Sequence, residues 1–229
     1  MVSIKHHIHL TAAAWALSLV AAVVACNGSD SRSFRVKGHA SQVADGERLL
    51  LVDTDGLVVD TLVVDDGQFS YEGLADSVRF YSLYLDSNPT NSVEFFAEPG
   101  QISVTLAVGT DHSSRSGTIA NNALQALAVS LQPLYSKIEQ LEHIARTDTA
   151  LQYDQWALAE RIDEVAHEIE DKIKAAAEAN IDNELGFMLV CHYLPTTGDA
   201  ELMRRLVALM PQSFRQRQQV KLLDAEANN

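Results

Sequence analysis

The segment Leu57-Val58-Val59-Asp60-Thr61-Leu62-Val63-Val64-Asp65-Asp66-Gly67-Gln68-Phe69-Ser70-Tyr71-Glu72-Gly73 settles the architecture of the first half of the chain. Residues 58–64 are β-branched and leucine-rich. Residues 68–72 alternate, with Phe69 and Tyr71 on one face and Ser70 and Glu72 on the other, the period-two pattern of a half-buried strand. Asp65-Asp66-Gly67 between them suits a tight hairpin turn, because Asp and Gly tolerate the positive φ such turns need. A lone hairpin is not stable in water, so neighbouring strands must complete a sheet with a buried face.

Those strands are present on both sides. Residues 33–40 alternate Phe34 and Val36 against Arg35 and Lys37. Residues 47–52 form a second run, between Ala44-Asp45-Gly46 and Asp53-Thr54-Asp55-Gly56. Residues 78–85 alternate aromatic and aliphatic side chains before Asp86-Ser87-Asn88-Pro89 breaks the run, and 93–97 and 102–108 are separated by the turn Glu98-Pro99-Gly100. Short strands at this spacing predict an antiparallel β-sandwich-like domain over residues 34–118.

The period changes near Thr118. Leu124, Leu127, Leu131, Leu134, Ile138, Leu141 and Ala145 recur at alternating intervals of three and four, a helical seam that Ile119-Ala120-Asn121-Asn122 can cap. Pro133 should kink this helix or start a new turn, because it has no amide hydrogen for the carbonyl of Val129. A second helix is predicted over 151–179, with Leu158, Ile162, Val165, Ile169, Ile173 and Ala176 on one side, packed as a hairpin on the first through the connection 146–149. A third is expected over 183–194, ending at Pro195, and a fourth from the capping pair Gly198-Asp199 to Met210. Another can begin at Pro211, and residues 224–229 should fray. The fold class is therefore α+β, an N-terminal antiparallel β-sandwich-like domain followed by an all-helical region, residues 119–229.

Residues 1–25 are set apart from this fold. Lys5, with His6, His7 and His9, gives a weakly basic start, and residues 10–25 carry no charge. Sixteen residues fall short of a bilayer span, so the run reads as the apolar core of a secretory signal segment, and its histidines leave with it. It ends Val23-Val24-Ala25-Cys26, which resembles a bacterial lipobox: a small residue before a cysteine that becomes acylated and N-terminal. Cys26 is thus the expected lipidation site, residues 26–33 a polar tether, and the cell envelope, lipid-anchored on a periplasmic or extracellular face, the expected location.

Without residues 1–25, which hold Lys5 and no acid, 16 bases face 31 acids, a net charge of −15. Such a surface repels phosphate backbones, and nucleic acid is not an expected partner. The remaining cysteine, Cys191, lies in an apolar helical context and reads as a buried small hydrophobe. Asp53-Thr54-Asp55-Gly56 has two acids and a glycine, but not the spacing of a calcium loop, and reads as a turn. His167, among Asp163, Glu164, Glu168 and Glu170, has no second histidine at zinc-protease spacing and reads as a solvated helix face. Nucleophile elbow, phosphate loop and dinucleotide fingerprint are all missing, so no catalytic residue, metal or cofactor is assigned. Phe80, Tyr81, Tyr84, Phe95 and Phe96 could put rings on both sheet faces, and any left outside the core would form a ligand- or glycan-binding patch.

Val59-Asp60-Thr61, Asp66-Gly67-Gln68-Phe69-Ser70-Tyr71-Glu72-Gly73, Phe95-Phe96-Ala97-Glu98-Pro99-Gly100 and Gly117-Thr118 followed by Asn121-Asn122-Ala123-Leu124 occur in that order. Together this pattern resembles the domain of unknown function at the N-terminus of TlpA/AhpC-TSA-type thiol-disulfide oxidoreductase lipoproteins. The helical remainder, including Asn183-Glu184-Leu185-Gly186-Phe187, is similar to the linker that follows it there. In those proteins a thioredoxin fold with a Trp-Cys-x-x-Cys site comes next, and no position in these 229 residues matches its cysteines. The resemblance implies a membrane-tethered interaction or scaffold module without the redox engine. Alternatively, it implies an accessory component that works with a separate thioredoxin-fold protein.

Overall fold

A computed structural model describes residues 32–75, 77–109, 113–147 and 155–227, with side chains to 223. The expected signal segment, Cys26 and the expected tether up to residue 31 lie outside the described residues. Eight strands form two four-stranded sheets. The first is ordered β4-β1-β7-β8 and contains β1 (Ser33–Ser41), β4 (Gln68–Leu74), β7 (Gly100–Ala107) and β8 (Ser114–Ser116). The second is ordered β3-β2-β5-β6 and contains β2 (Arg48–Asp53), β3 (Val58–Val63), β5 (Arg79–Leu85) and β6 (Asn88–Ala97). All ladders are antiparallel except β1 with β7, which is parallel. Phe34, Val36, Leu49, Leu51, Tyr81, Leu83, Phe95, Ile102, Val104 and Leu106 alternate inward and fill the space between the sheets, the arrangement of a sandwich.

The turn at Asp65 to Gln68 forms as expected. Asp66 and Gly67 have φ of 49° and 67°, and Asp65 and Gln68 exchange both backbone bonds at 2.9 Å. The strands it joins do not pair, however. The Val64 amide donates to the Glu47 carbonyl on the β2 side, while the Ala40 amide donates to the Gly67 carbonyl on the β1 side. The turn therefore straddles the edge of the sandwich, sending β3 into one sheet and β4 into the other after a single bridge.

The helical region comprises α1 (Ile119–Thr147), α2 (Gln155–Ala179), α3 (Glu184–Met188), a π-helical turn (Leu189–Tyr193), α4 (Leu194–Thr197), α5 (Ala200–Leu209), α6 (Gln212–Arg215) and α7 (Gln218–Ala227). The seam Leu124, Leu127, Leu131, Leu134 and Leu141 is buried against Val165, Ile169 and Ile173 of α2, whereas Ala145 is exposed. Pro133 neither breaks α1 nor starts a new helix. The carbonyl it cannot serve belongs to Val129, an exposed position where solvent can substitute. Pro195 likewise lies inside continuous helix, since the π-helical turn ahead of it routes the Leu194 amide to the Leu189 carbonyl. Asn183 and Asp199 cap α3 and α5 through the amides of Leu185 and Leu202, and α7 continues through Ala227 rather than fraying at 224.

One buried side chain is central to the junction of the two regions. Asn121, fully buried in the first turn of α1, accepts from the Phe96 amide at 2.9 Å and donates to the Phe96 carbonyl at 2.8 Å and to Thr118 Oγ1 at 2.7 Å. Glu98 accepts from the Ala120 amide at 3.0 Å, and Asn122 from the Gly117 amide at 3.0 Å. Gly117 has φ of 111°, and a Cβ there would lie 2.2 Å from the Gln101 carbonyl oxygen, so only glycine lets the chain turn this closely from β8 into α1. Leucine at 121 would strand the buried Phe96 amide, at a cost of about 1–3 kcal/mol, while the Phe96 carbonyl keeps the Glu98 amide at 3.0 Å. We expect Asn121→Leu to lose about 1–3 kcal/mol of stability in urea unfolding, and Asn121→Asp, which keeps the acceptor but not the donor, to be destabilised less. An unchanged urea midpoint for Asn121→Leu would show that this junction does not hold the regions together.

Candidate functional site

Most of the residues flagged for chemistry are committed to structure. Asp53 Oδ1 accepts from the amides of Asp55 and Leu57 at 3.0 and 2.9 Å, an Asx turn that organises the β2–β3 connection. His167 is exposed on α2, where its Nδ1 lies 2.8 Å from the Asp163 carbonyl oxygen and 3.7 Å from the Asp163 carboxylate. The backbone hydrogen bond first, and the carboxylate second, raise its pKa. Among the described residues no group of three metal-ligating side chains converges. Glu184 is buried and takes a bidentate pair from Arg217 at 2.7 and 2.5 Å, and that guanidinium lies over the rings of both Phe187 and Phe214. Arg217 therefore pins α3 to the segment between α6 and α7.

The sheet aromatics divide between two cores instead of forming a free patch. Tyr81 and Phe95 point into the sandwich, while Phe96 packs into the helical core. Phe80 joins Phe96 there, with ring centroids 4.9 Å apart and planes at 56°. Only Tyr84 is left half-buried outside both clusters. A cleft of about 810 Å³ does open beside Phe80, Phe96, Phe187, Met188 and His192.

A second cleft, of about 640 Å³, lies between β6, the β7–β8 end of the other sheet and the flank of α1. Its β6 wall is an open strand edge. β6 is last in its sheet. The Phe96 amide and carbonyl point away from β5, since Asn121 holds both. Backbone groups on one side of a strand recur at every second residue. The register runs unbroken through Phe80↔Phe96, Ser82↔Glu94 and Tyr84↔Ser92. Glu94 and Ser92 therefore present their amides and carbonyls to the same unpaired side, into the cleft.

Arg115 enters this cleft from β8. It sits opposite the inward-facing Val104, and its backbone amide donates to Gln125 Oε1 of α1 at 3.0 Å. Its Nε is buried and has no hydrogen-bond partner among the described residues. Burial lowers the guanidinium pKa, an effect opposed by the nearby Glu94 carboxylate. β8 was not foreseen from the sequence: Ser-Ser-Arg-Ser has no apolar alternation, so nothing marked Arg115 or this edge.

The fold is thus a two-sheet sandwich clamped to a helical bundle, with an open-edged cleft at the junction. Residues 34–124 match the model of a family described as a domain of unknown function, DUF4369. The match ends within α1, past the Asn121 clamp, so the matched segment includes the junction. No curated protein is similar enough to this chain to match it.

Cys191 is 8% exposed on the π-helical turn, and desolvation pushes its pKa up to about 11, with Arg217 opposing the shift. At pH 8 a thiol of that pKa is about one part in a thousand thiolate. In a Cys26→Ser chain we expect Cys191 to resist a disulfide reagent under native conditions and to react fully in guanidinium. Stoichiometric native labelling within minutes would refute this.

Proposed function

We propose that this chain is a non-catalytic module of the cell envelope, lipid-anchored through Cys26, which holds another protein at the cleft between β6 and α1. The observation that carries this reading is the open edge of β6. Unpaired strand backbone is a template for another chain, and here it lies recessed beside a helix rather than covered. Supporting it, Asp53, Glu98, Asn121, Glu184 and Arg217 are each engaged in turns, caps or ion pairs, and the Cys191 thiol is withdrawn from thiol exchange by burial.

A thioredoxin-fold protein is one partner class that the resemblance to oxidoreductase lipoproteins suggests. On this reading such a partner brings its own cysteines, and this chain contributes the dock and the tether. The acyl chains, with no help from a surface this acidic, hold the pair at the membrane.

Two measurements test the proposal. Cys26→Ala should move the chain from the membrane fraction to the soluble fraction; retention on the membrane would remove the anchor. A benzophenone amino acid at position 92 should give, in whole cells, an adduct of discrete mass that the same group at position 168, on the exposed face of α2, does not give. No discrete adduct from position 92, or the same adduct from both positions, would remove the dock.

A further inference from the structure

We propose that the occupant of the cleft is an extended peptide segment that adds as a strand to the free edge of β6 and places a carboxylate on Arg115. The inference rests on the docking role proposed above and specifies the chemistry of the partner. Three features of the cleft converge on it.

The first is geometric. The Asn121 carboxamide already pairs with Phe96 as a neighbouring strand's peptide group would, one acceptor and one donor at 2.9 and 2.8 Å. It supplies one rung of a ladder. Glu94 and Ser92 are the next two rungs on that side, and no strand among the described residues occupies them. At about 3.4 Å per residue, two more rungs take a segment of about four or five residues. At its far end the cleft is bounded where the Gly109 amide donates to Asn91 Oδ1 at 3.2 Å.

The second feature is size. A cavity of about 640 Å³ falls within the roughly 300–1,000 Å³ of sites that enclose small ligands and short peptide segments. The third is charge. Arg115 lines the cleft with its Nε buried and without a partner among the described residues, and its planar fork is suited to a carboxylate. Glu94 and Glu139 border the same cleft and are exposed. Neither forms an ion pair with Arg115 within 4.0 Å among the described residues. They oppose a second acid elsewhere in the segment, so the sequence recognised is one acid within otherwise neutral or basic, strand-forming residues.

The test pans a random heptapeptide phage library against the full chain in detergent, then measures the selected peptides in solution. Enriched peptides should carry Asp or Glu at one fixed position. Their binding should slow hydrogen exchange at the Ser92 and Glu94 amides, which exchange fast in the free protein, while Phe96 is protected throughout. Arg115→Gln should weaken binding at least tenfold, and Arg115→Lys, which keeps charge but not the fork, by less. Converting the peptide acid to its amide should cost the same factor on the unaltered chain and nothing on Arg115→Gln. Thermal melting of both variants reports that the fold is kept. No enrichment, enrichment without a common acid, affinity indifferent to Arg115, or unprotected Ser92 and Glu94 amides would each overturn the inference. If position 92 still cross-links in cells while Arg115 proves irrelevant, the docking role stands and only this account of its partner falls.

Discussion

One carboxamide sets the relation between the two halves of this protein. Asn121 meets both backbone groups of Phe96 from the first turn of α1, and the buried Phe96 amide could not be left unpaired without the full desolvation cost. Because the contact is made to backbone, it fixes where α1 starts relative to the pleat of β6. Phe95 and Phe96 then point to opposite faces, one into the space between the sheets and the other among the helices. Glu98 on the Ala120 amide, Asn122 on the Gly117 amide and Gln125 on the Arg115 amide repeat the device around the same turn. Each uses a polar side chain of one region to complete the backbone of the other.

The clamp also explains why an open strand edge persists at this place. Asn121 pairs with a single residue, and α1 then runs along the cleft without pairing with Glu94 or Ser92. Exposed edges invite association with other chains unless they are short, charged or recessed. β6 is recessed behind α1 and carries Glu94. The opposite edge of the same sheet, β3, has exposed Val58, Val59 and Val63 with Asp60 as its one charge, and its last residues are held by the turn that crosses to the other sheet. The two edges of one sheet are thus protected by different means, and of the two β6 has its open side beside an arginine whose Nε is buried.

Much of the architecture was legible in the residues. Strand alternation read correctly because inward and outward positions of a sandwich differ in burial at every step, and the seam of α1 read correctly because its leucines face one continuous core. Asp199 announced its helix as a cap does. What was not legible depended on where chains meet. The Asp65-Asp66-Gly67 signal is local and says nothing about whether the strands after it stay in one sheet; that is decided by Glu47 and Ala40, far away in sequence. Pro195 read as the end of its helix because local rules cannot know that a π-helical turn precedes the ring, and Pro133, read as a kink or the start of a new turn, lies inside α1 where the carbonyl it leaves free belongs to an exposed residue. Pro89 was read as ending a strand, yet it lies within β6 near its free start, beside an irregularity in the pairing with β5. Arg115 had no local signature at all.

The charge balance gives that last residue its weight. The chain holds 31 acids against 17 lysines and arginines, so a cation has little difficulty finding a carboxylate. Arg35, Arg48, Arg146 and Arg217 all do so. Many of the acids serve as caps and turn-formers, Asp53, Glu98 and Asp199 among them, so an acidic composition here reflects backbone completion more than acid–base chemistry. Against that background, an arginine whose Nε is buried beside unpaired strand backbone and is left without a partner among the described residues is costly. A group that costs stability in the isolated fold is most simply accounted for by what it gains when a second chain supplies the missing carboxylate.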